Sequence, residues 1–124
     1  MKDGKYVILC VDDDQDFLDS LRLIVESENY TMETANSAED GIRKYKAAQP
    51  DLVLVDLMME EVDAGTSFVR DLRVLGPTPP IYMLSSVGDA LNTSVDYSGL
   101  GLAGVLQKPI SPNVLKATLR AKLR

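Results

Sequence analysis

The 124-residue sequence has no histidine, no tryptophan and a single cysteine, and no apolar run in it is long enough to cross a bilayer. Each absence closes off a class of function. Without His there is no Ser-His-Asp triad, no His-ligated zinc and no His phosphocarrier. Cys10 alone permits no internal disulfide, and within the apolar run Val7–Val11 it reads as a small buried hydrophobe. The ~20 apolar residues of a membrane span are missing, and the charged start Met1–Lys5 is followed by too short an apolar stretch for a signal peptide. Basic residues are the minority, 13 against 19 acids, giving a formal charge of −6. Such a chain lacks the positive footprint of a nucleic-acid binder. The expectation is a soluble cytoplasmic protein, without direct nucleic-acid or membrane contact, whose chemistry rests on carboxylates, hydroxyls and lysines.

What is present is enough apolar residue, 45% of the chain, for one domain with one sizeable core. Five short runs rich in Leu and β-branched residues, Tyr6–Val11, Thr31–Ala35, Leu52–Asp56, Ile81–Ser85 and Gly104–Gln107, recur about every 20 to 30 residues, as βα units do. Between them, apolar residues repeat at helical spacing: Phe17, Leu18, Leu21 and Val25; Ile42 and Tyr45; Phe68, Val69, Leu72 and Leu75; Leu115, Leu119 and Leu123. Ser37 with Asp40 three residues on, and Ser111 before Pro112, mark helix starts, while Asp13 or Asp14 can cap the first helix. Gln49-Pro50 and the Gly76–Pro80 stretch end the second and third helices. The first, third and fourth runs are almost continuously apolar, as strands covered on both faces of a parallel sheet are. The fold class is therefore α/β, a doubly wound parallel sheet. A weak helix is expected within Leu91–Ser98, where Asn92, Thr93, Ser94 and Asp96 are mediocre helix formers.

In such a sheet, ligands bind beyond the carboxyl ends of the strands. Strand 1 runs into Asp12-Asp13-Asp14, strand 3 ends at Asp56, strand 4 at Ser85-Ser86, and strand 5 runs into Lys108-Pro109. Two or three carboxylates, a hydroxyl and an ammonium thus converge on one edge. Carboxylates at ~4 Å repel by several kcal/mol at an effective dielectric near 20, so the cluster calls for a cation, and hard oxygen ligands suit Mg²⁺.

From Tyr6 to Leu123 the chain resembles the receiver domain of two-component response regulators. The motifs that carry the resemblance are Ile8–Asp14, Pro50–Met59, Ser85-Ser86 and Lys108-Pro109. The resemblance implies a flavodoxin-like (βα)5 fold with strand order 2-1-3-4-5. It further implies Asp56 as phosphoacceptor, Asp13 and the Met58 carbonyl as direct Mg²⁺ ligands beside Asp56, and Asp12 acting through water. Ser85 would hold one phosphoryl oxygen and Lys108 another, with a cis Lys108–Pro109 peptide. The implied partners are a sensor histidine kinase or phosphotransfer protein and a downstream target or output domain; no enzyme activity is implied beyond the domain's own phosphorylation and dephosphorylation.

The chain departs from the family pattern in three ways. Met59-Glu60 stands where Met-Pro is usual, and the following turn reads Asp63-Ala64-Gly65, with added acid from Glu60 and Glu61. Val105 occupies the position of the aromatic switch, so output has to run by another route. Met58 and Val87 sit at the positions that set dephosphorylation rate, and neither side chain can orient water, which implies a long-lived acyl phosphate. Other readings stay open. Asp12-Asp13-Asp14 is also an Asp-x-Asp, resembling haloacid-dehalogenase-like phosphatases with Asp12 as nucleophile and Asp14 as general acid, although Asp16 replaces their usual Thr or Val. A pseudo-receiver used only for protein contacts is a second alternative. A flavodoxin-like nucleotide binder is disfavoured by three acids where a phosphate cradle belongs.

Overall fold

A computed structural model of the chain describes residues 4–56, 64–85 and 101–123. Its elements run β1 (Val7–Val11), α1 (Gln15–Ser27), β2 (Thr31–Ala35), α2 (Ala38–Ala48), β3 (Leu52–Asp56), α3 (Ala64–Leu75), β4 (Ile81–Ser85), β5 (Gly104–Gln107) and α4 (Pro112–Lys122). The five strands form one wholly parallel sheet in the order β2-β1-β3-β4-β5. The expected helix at Leu91–Ser98 lies outside the described residues.

Local chemistry sets the helix ends. Asp14 accepts a hydrogen bond from the Phe17 N–H at 3.2 Å and Ser37 one from the Asp40 N–H at 3.1 Å, each satisfying a donor that the first turn leaves unpaired. Gln49 closes α2 in the left-handed region at φ 49°, its N–H donating to the Tyr45 carbonyl. At α4 the expectation is met only in part: Pro112 occupies the first turn, but the Ser111 hydroxyl makes no capping bond. Proline itself removes one orphan donor and presets φ. β1 begins at Val7, one residue later than the sequence pattern suggests, although the Tyr6 carbonyl still accepts from the Thr31 N–H. Asp51 closes the opposite edge of the sheet. Its carboxylate accepts from the Val7 N–H at 2.8 Å while its own N–H donates to the Val7 carbonyl at 2.7 Å.

Side chains alternate across the central strands and build a core on each face. On one face Ile8, Cys10, Leu52, Leu54, Tyr82 and Leu84 meet Leu18, Leu21 and Val25 of α1 and Leu115 and Leu119 of α4. On the other, Leu9, Val11, Val53, Val55, Ile81 and Met83 meet Phe68, Val69 and Leu72 of α3. β1, β3 and β4 are buried along their whole length, which is why, apart from the terminal Asp56 and Ser85, their sequences show no alternation with charged or small polar residues. No helix among the described residues is long and apolar enough to cross a membrane.

The second core also explains a buried glycine inside α2. A Cβ at Gly41 would sit 2.8 Å from Phe68 Cε1 and 3.1 Å from Val11 Cγ2. Phe68 is fully buried and cannot yield, so Gly41 lets α2 approach α3 and β1 closely. Gly41→Ala should therefore destabilise the fold by about 1–2 kcal/mol, overpacking outweighing the ~1 kcal/mol gain in helix propensity. Urea unfolding checks this, and Phe68→Leu in the Gly41→Ala background should cost less than in the wild type.

Candidate functional site

Because all five strands are parallel, their carboxyl ends lie along one edge; the register Val11↔Val55 brings Asp12 level with Asp56, and Ser85↔Gln107 puts Lys108 one residue beyond the partner of Ser85. Asp12, just past β1, is wholly buried; Asp56 and Ser85, the last residues of β3 and β4, are nearly so. Asp13 is exposed. Carboxylate oxygens of Asp12, Asp13 and Asp56 lie within 4.8 Å of one another. Three sequence-predicted acids from two strand ends thus form one cluster.

Lys108 supplies the positive charge. Its Nζ lies 2.6 Å from Asp12 Oδ2 and 3.5 Å from Asp56 Oδ1. The backbone that carries it is pinned by the Lys108 N–H donating to the Ser85 carbonyl at 2.7 Å, and the Lys108–Pro109 peptide is cis, as the family resemblance implies. Burial pulls the Lys108 pKa down, but contact with Asp12 and the charge of Asp56 outweigh it, so the pKa stands above the usual lysine value. Beneath the cluster, burial pushes the Cys10 thiol well up, reinforced by the Asp12 charge, leaving it a neutral core residue.

One carboxylate has commitments on both oxygens and spare capacity on one. Asp12 Oδ1 accepts from the Asp14 N–H at 2.9 Å, whereas Oδ2 meets the ammonium without a hydrogen bond of acceptable geometry. Three carboxylates against one ammonium leave two negative charges in the cluster. Carboxylates about 5 Å apart at an effective dielectric near 20 repel by roughly 3 kcal/mol a pair. A buried, under-satisfied oxygen within an all-oxygen donor set fits a hard divalent cation.

Sequence reasoning missed one neighbour. The Phe17 ring, taken as an apolar helix position, lies with its centroid 4.4 Å from Lys108 Nζ. The signal was its place in the first turn of α1, from which side chains tilt back toward the strand edge. Val105 lies on β5 opposite Met83 and is 46% exposed. Met58, Glu60, Glu61, Asp63 and Val87 lie outside the described residues.

Comparison with known proteins converges on one family. The sequence profile of the response regulator receiver domain matches residues 8–120. The chain is 35% identical over 117 residues to the transcriptional regulatory protein ResD of Bacillus subtilis, covering 94% of this chain and 48% of that one. It is 32% identical over 108 residues to the transcriptional regulatory protein GlrR of Escherichia coli, covering 87% and 24%. The chain thus spans about half or less of the length of these relatives. Among solved structures, a CheY-like receiver domain protein of Methanospirillum hungatei superposes with a TM-score of 0.82 at 28% identity, covering 97% of this chain and 94% of that one. The N-terminal domain of the nisin resistance regulator NsrR superposes with a TM-score of 0.81 at 28% identity, covering 98% and 100%.

The Lys108 contacts yield a stability prediction. Lys108→Met leaves Asp12 buried without its counter-charge and should cost about 1–3 kcal/mol at pH 7 in metal-free buffer, less than a deeply buried pair because the lysine side chain keeps 16% exposure. The folded-state pKa of Lys108 lies above its unfolded value, so its contribution is complete below about pH 10.4 and fades as pH rises through the folded value. Urea unfolding of both proteins across this range should show wild type and variant converging at the alkaline end.

Proposed function

Because the chain belongs to the response regulator receiver domain family, we propose that it is a single receiver domain that takes a phosphoryl group from a sensor histidine kinase or phosphotransfer protein onto Asp56 and thereby switches contacts with a downstream target or output domain. The observation that carries this reading is the buried Asp56 carboxylate at the end of β3, held 3.5 Å from Lys108 and beside Asp12 and Asp13. Phosphoryl transfer needs little covalent chemistry from a protein beyond a nucleophile; it needs position and neutralisation of the equatorial oxygens.

Each residue has a part in that transfer. An Asp56 carboxylate oxygen forms the bond to phosphorus while the donor group departs with its electron pair, and the product is an acyl phosphate. Lys108, close enough to reach an oxygen on Asp56, pairs with one phosphoryl oxygen. The Ser85 hydroxyl, at the end of the adjoining strand, serves another. Asp12, Asp13 and Asp56 would hold Mg²⁺, with the Met58 carbonyl as the further ligand of the family pattern and Asp12 acting through water. When bound, that ion neutralises the charge that otherwise repels an anionic donor. Asp14 is spent on capping α1 and stands apart from this set, which counts against a phosphatase with Asp12 as nucleophile and Asp14 as acid. The charge of −6 supports protein partners over nucleic acid.

Incubation with Mg²⁺ and acetyl phosphate, followed by intact mass and peptide mapping, tests the assignment. Label should appear on Asp56 and vanish in Asp56→Asn, whose fold should survive because Asn is nearly isosteric and relieves charge crowding. Label on Asp12 would point to the phosphatase reading, and none to a pseudo-receiver. Mg²⁺ at about a hundred times its Kd should raise unfolding stability by roughly 2.7 kcal/mol. Asp13→Asn should be more stable than wild type without metal and gain less from it, which paired thermal melts measure.

A further inference from the structure

We propose that Phe17 is a positioning residue for phosphoryl transfer, its ring face holding the Lys108 ammonium over Asp56 while the carboxylates are engaged by the metal; this rests on Asp56 being the phosphoacceptor. Lys108 Nζ has three close partners among the described residues: Asp12 Oδ2 at 2.6 Å, Asp56 Oδ1 at 3.5 Å and the Phe17 ring at 4.4 Å to its centroid. Two of them belong to the cluster that fits a divalent cation. A carboxylate cannot give its full charge to both an ammonium and an ion, so loading the site weakens the hold of Asp12 and Asp56 on the lysine. The aromatic face attracts an ammonium through its quadrupole but offers nothing to a hard cation. Phe17 is thus the one partner of the three for which the metal does not compete.

The local fold prepares the ring for this work. Phe17 stands in the first turn of α1, and its own N–H is the donor that Asp14 caps. The turn that begins at the acid cluster therefore also fixes the ring. The ring is half-buried and packs against the α1/α4 core, which leaves it little rotational freedom. A lysine stem has four carbons of freedom, and without a second wall its ammonium would follow whichever carboxylate is least occupied. Core packing alone would account for an apolar residue here; it does not account for an ammonium centred on the ring.

The test combines a spectroscopic contact with a double-mutant cycle. In metal-free protein the Lys108 Hε resonances should lie upfield through the phenyl ring current, stay there in Phe17→Tyr and return to ordinary lysine positions in Phe17→Leu. With acetyl phosphate and saturating Mg²⁺, Phe17→Leu should label Asp56 about three- to tenfold more slowly than wild type, the range of a partly desolvated cation–π contact, and Phe17→Tyr should restore the rate. In the Lys108→Ala background, Phe17→Leu should bring no further loss, since Phe17 acts through the lysine. Equal losses in both backgrounds, no loss in wild type, or an unshifted Lys108 spectrum would overturn the proposal. Should Phe17→Leu unfold at the assay temperature, Phe17→Met, whose unbranched, flexible side chain fills irregular core space better, replaces it in both measurements. Wild-type protein that shows the ring-current shift but takes no label on Asp56 would defeat the phosphoacceptor reading itself, a result distinct from failure of the Phe17 contact.

Discussion

Like charge held together against its own repulsion is the condition around which this molecule is organised. Asp12 and Asp56 are buried side by side at the ends of β1 and β3, with Asp13 completing a cluster whose oxygens lie within 4.8 Å of one another. Nothing in the acids favours that arrangement; the sheet imposes it. Two cores, one per face, fix β1 and β3 as parallel neighbours in register, and the residues past Val11 and Val55 have nowhere else to go. A few kcal/mol of repulsion per pair is small beside the apolar burial of three wholly buried strands. The cluster is stored at the edge of a sheet stable enough to hold it.

Lys108 makes that storage tolerable and also makes it exchangeable. Its backbone hangs from the Ser85 carbonyl, so the ammonium arrives from β5 with its base anchored to β4. The internal counter-charge rests against Asp12 and reaches Asp56, so it has two carboxylate partners at once. The receiver family to which the chain belongs is a family of switches, and a counter-ion with alternative partners is a physical means of switching. Val105, half exposed on β5, is no aromatic ring that could take part in such a switch.

Much of this was legible in the sequence because it follows from strand ends. The apolar runs locate the strands, parallel packing sends their carboxyl ends to one edge, and Asp12, Asp13, Asp56, Ser85 and Lys108 are read directly from where the runs stop. The Asp14 and Ser37 caps were legible for the same reason, being local. Other features depend on contacts between elements distant in the chain, which periodicity does not encode. Gly41 is needed because Phe68 packs there from α3; Asp51 pairs with Val7 across 44 positions; Phe17 meets an ammonium delivered from the far side of the sheet. The helix expected at Leu91–Ser98 and the loop that holds Met58 lie outside the described residues, so those expectations stand as sequence readings.

The central claim, that the strand edge concentrates negative charge to receive a cation, is tested most directly by titrating the wild-type chain with Mg²⁺ and following its backbone amide resonances. The account predicts that Asp12, Asp13, Asp56 and Lys108 shift most and saturate together along a single isotherm. Shifts scattered over exposed acids such as Glu26, Glu39 and Asp71, or no saturation at the strand edge, would contradict it.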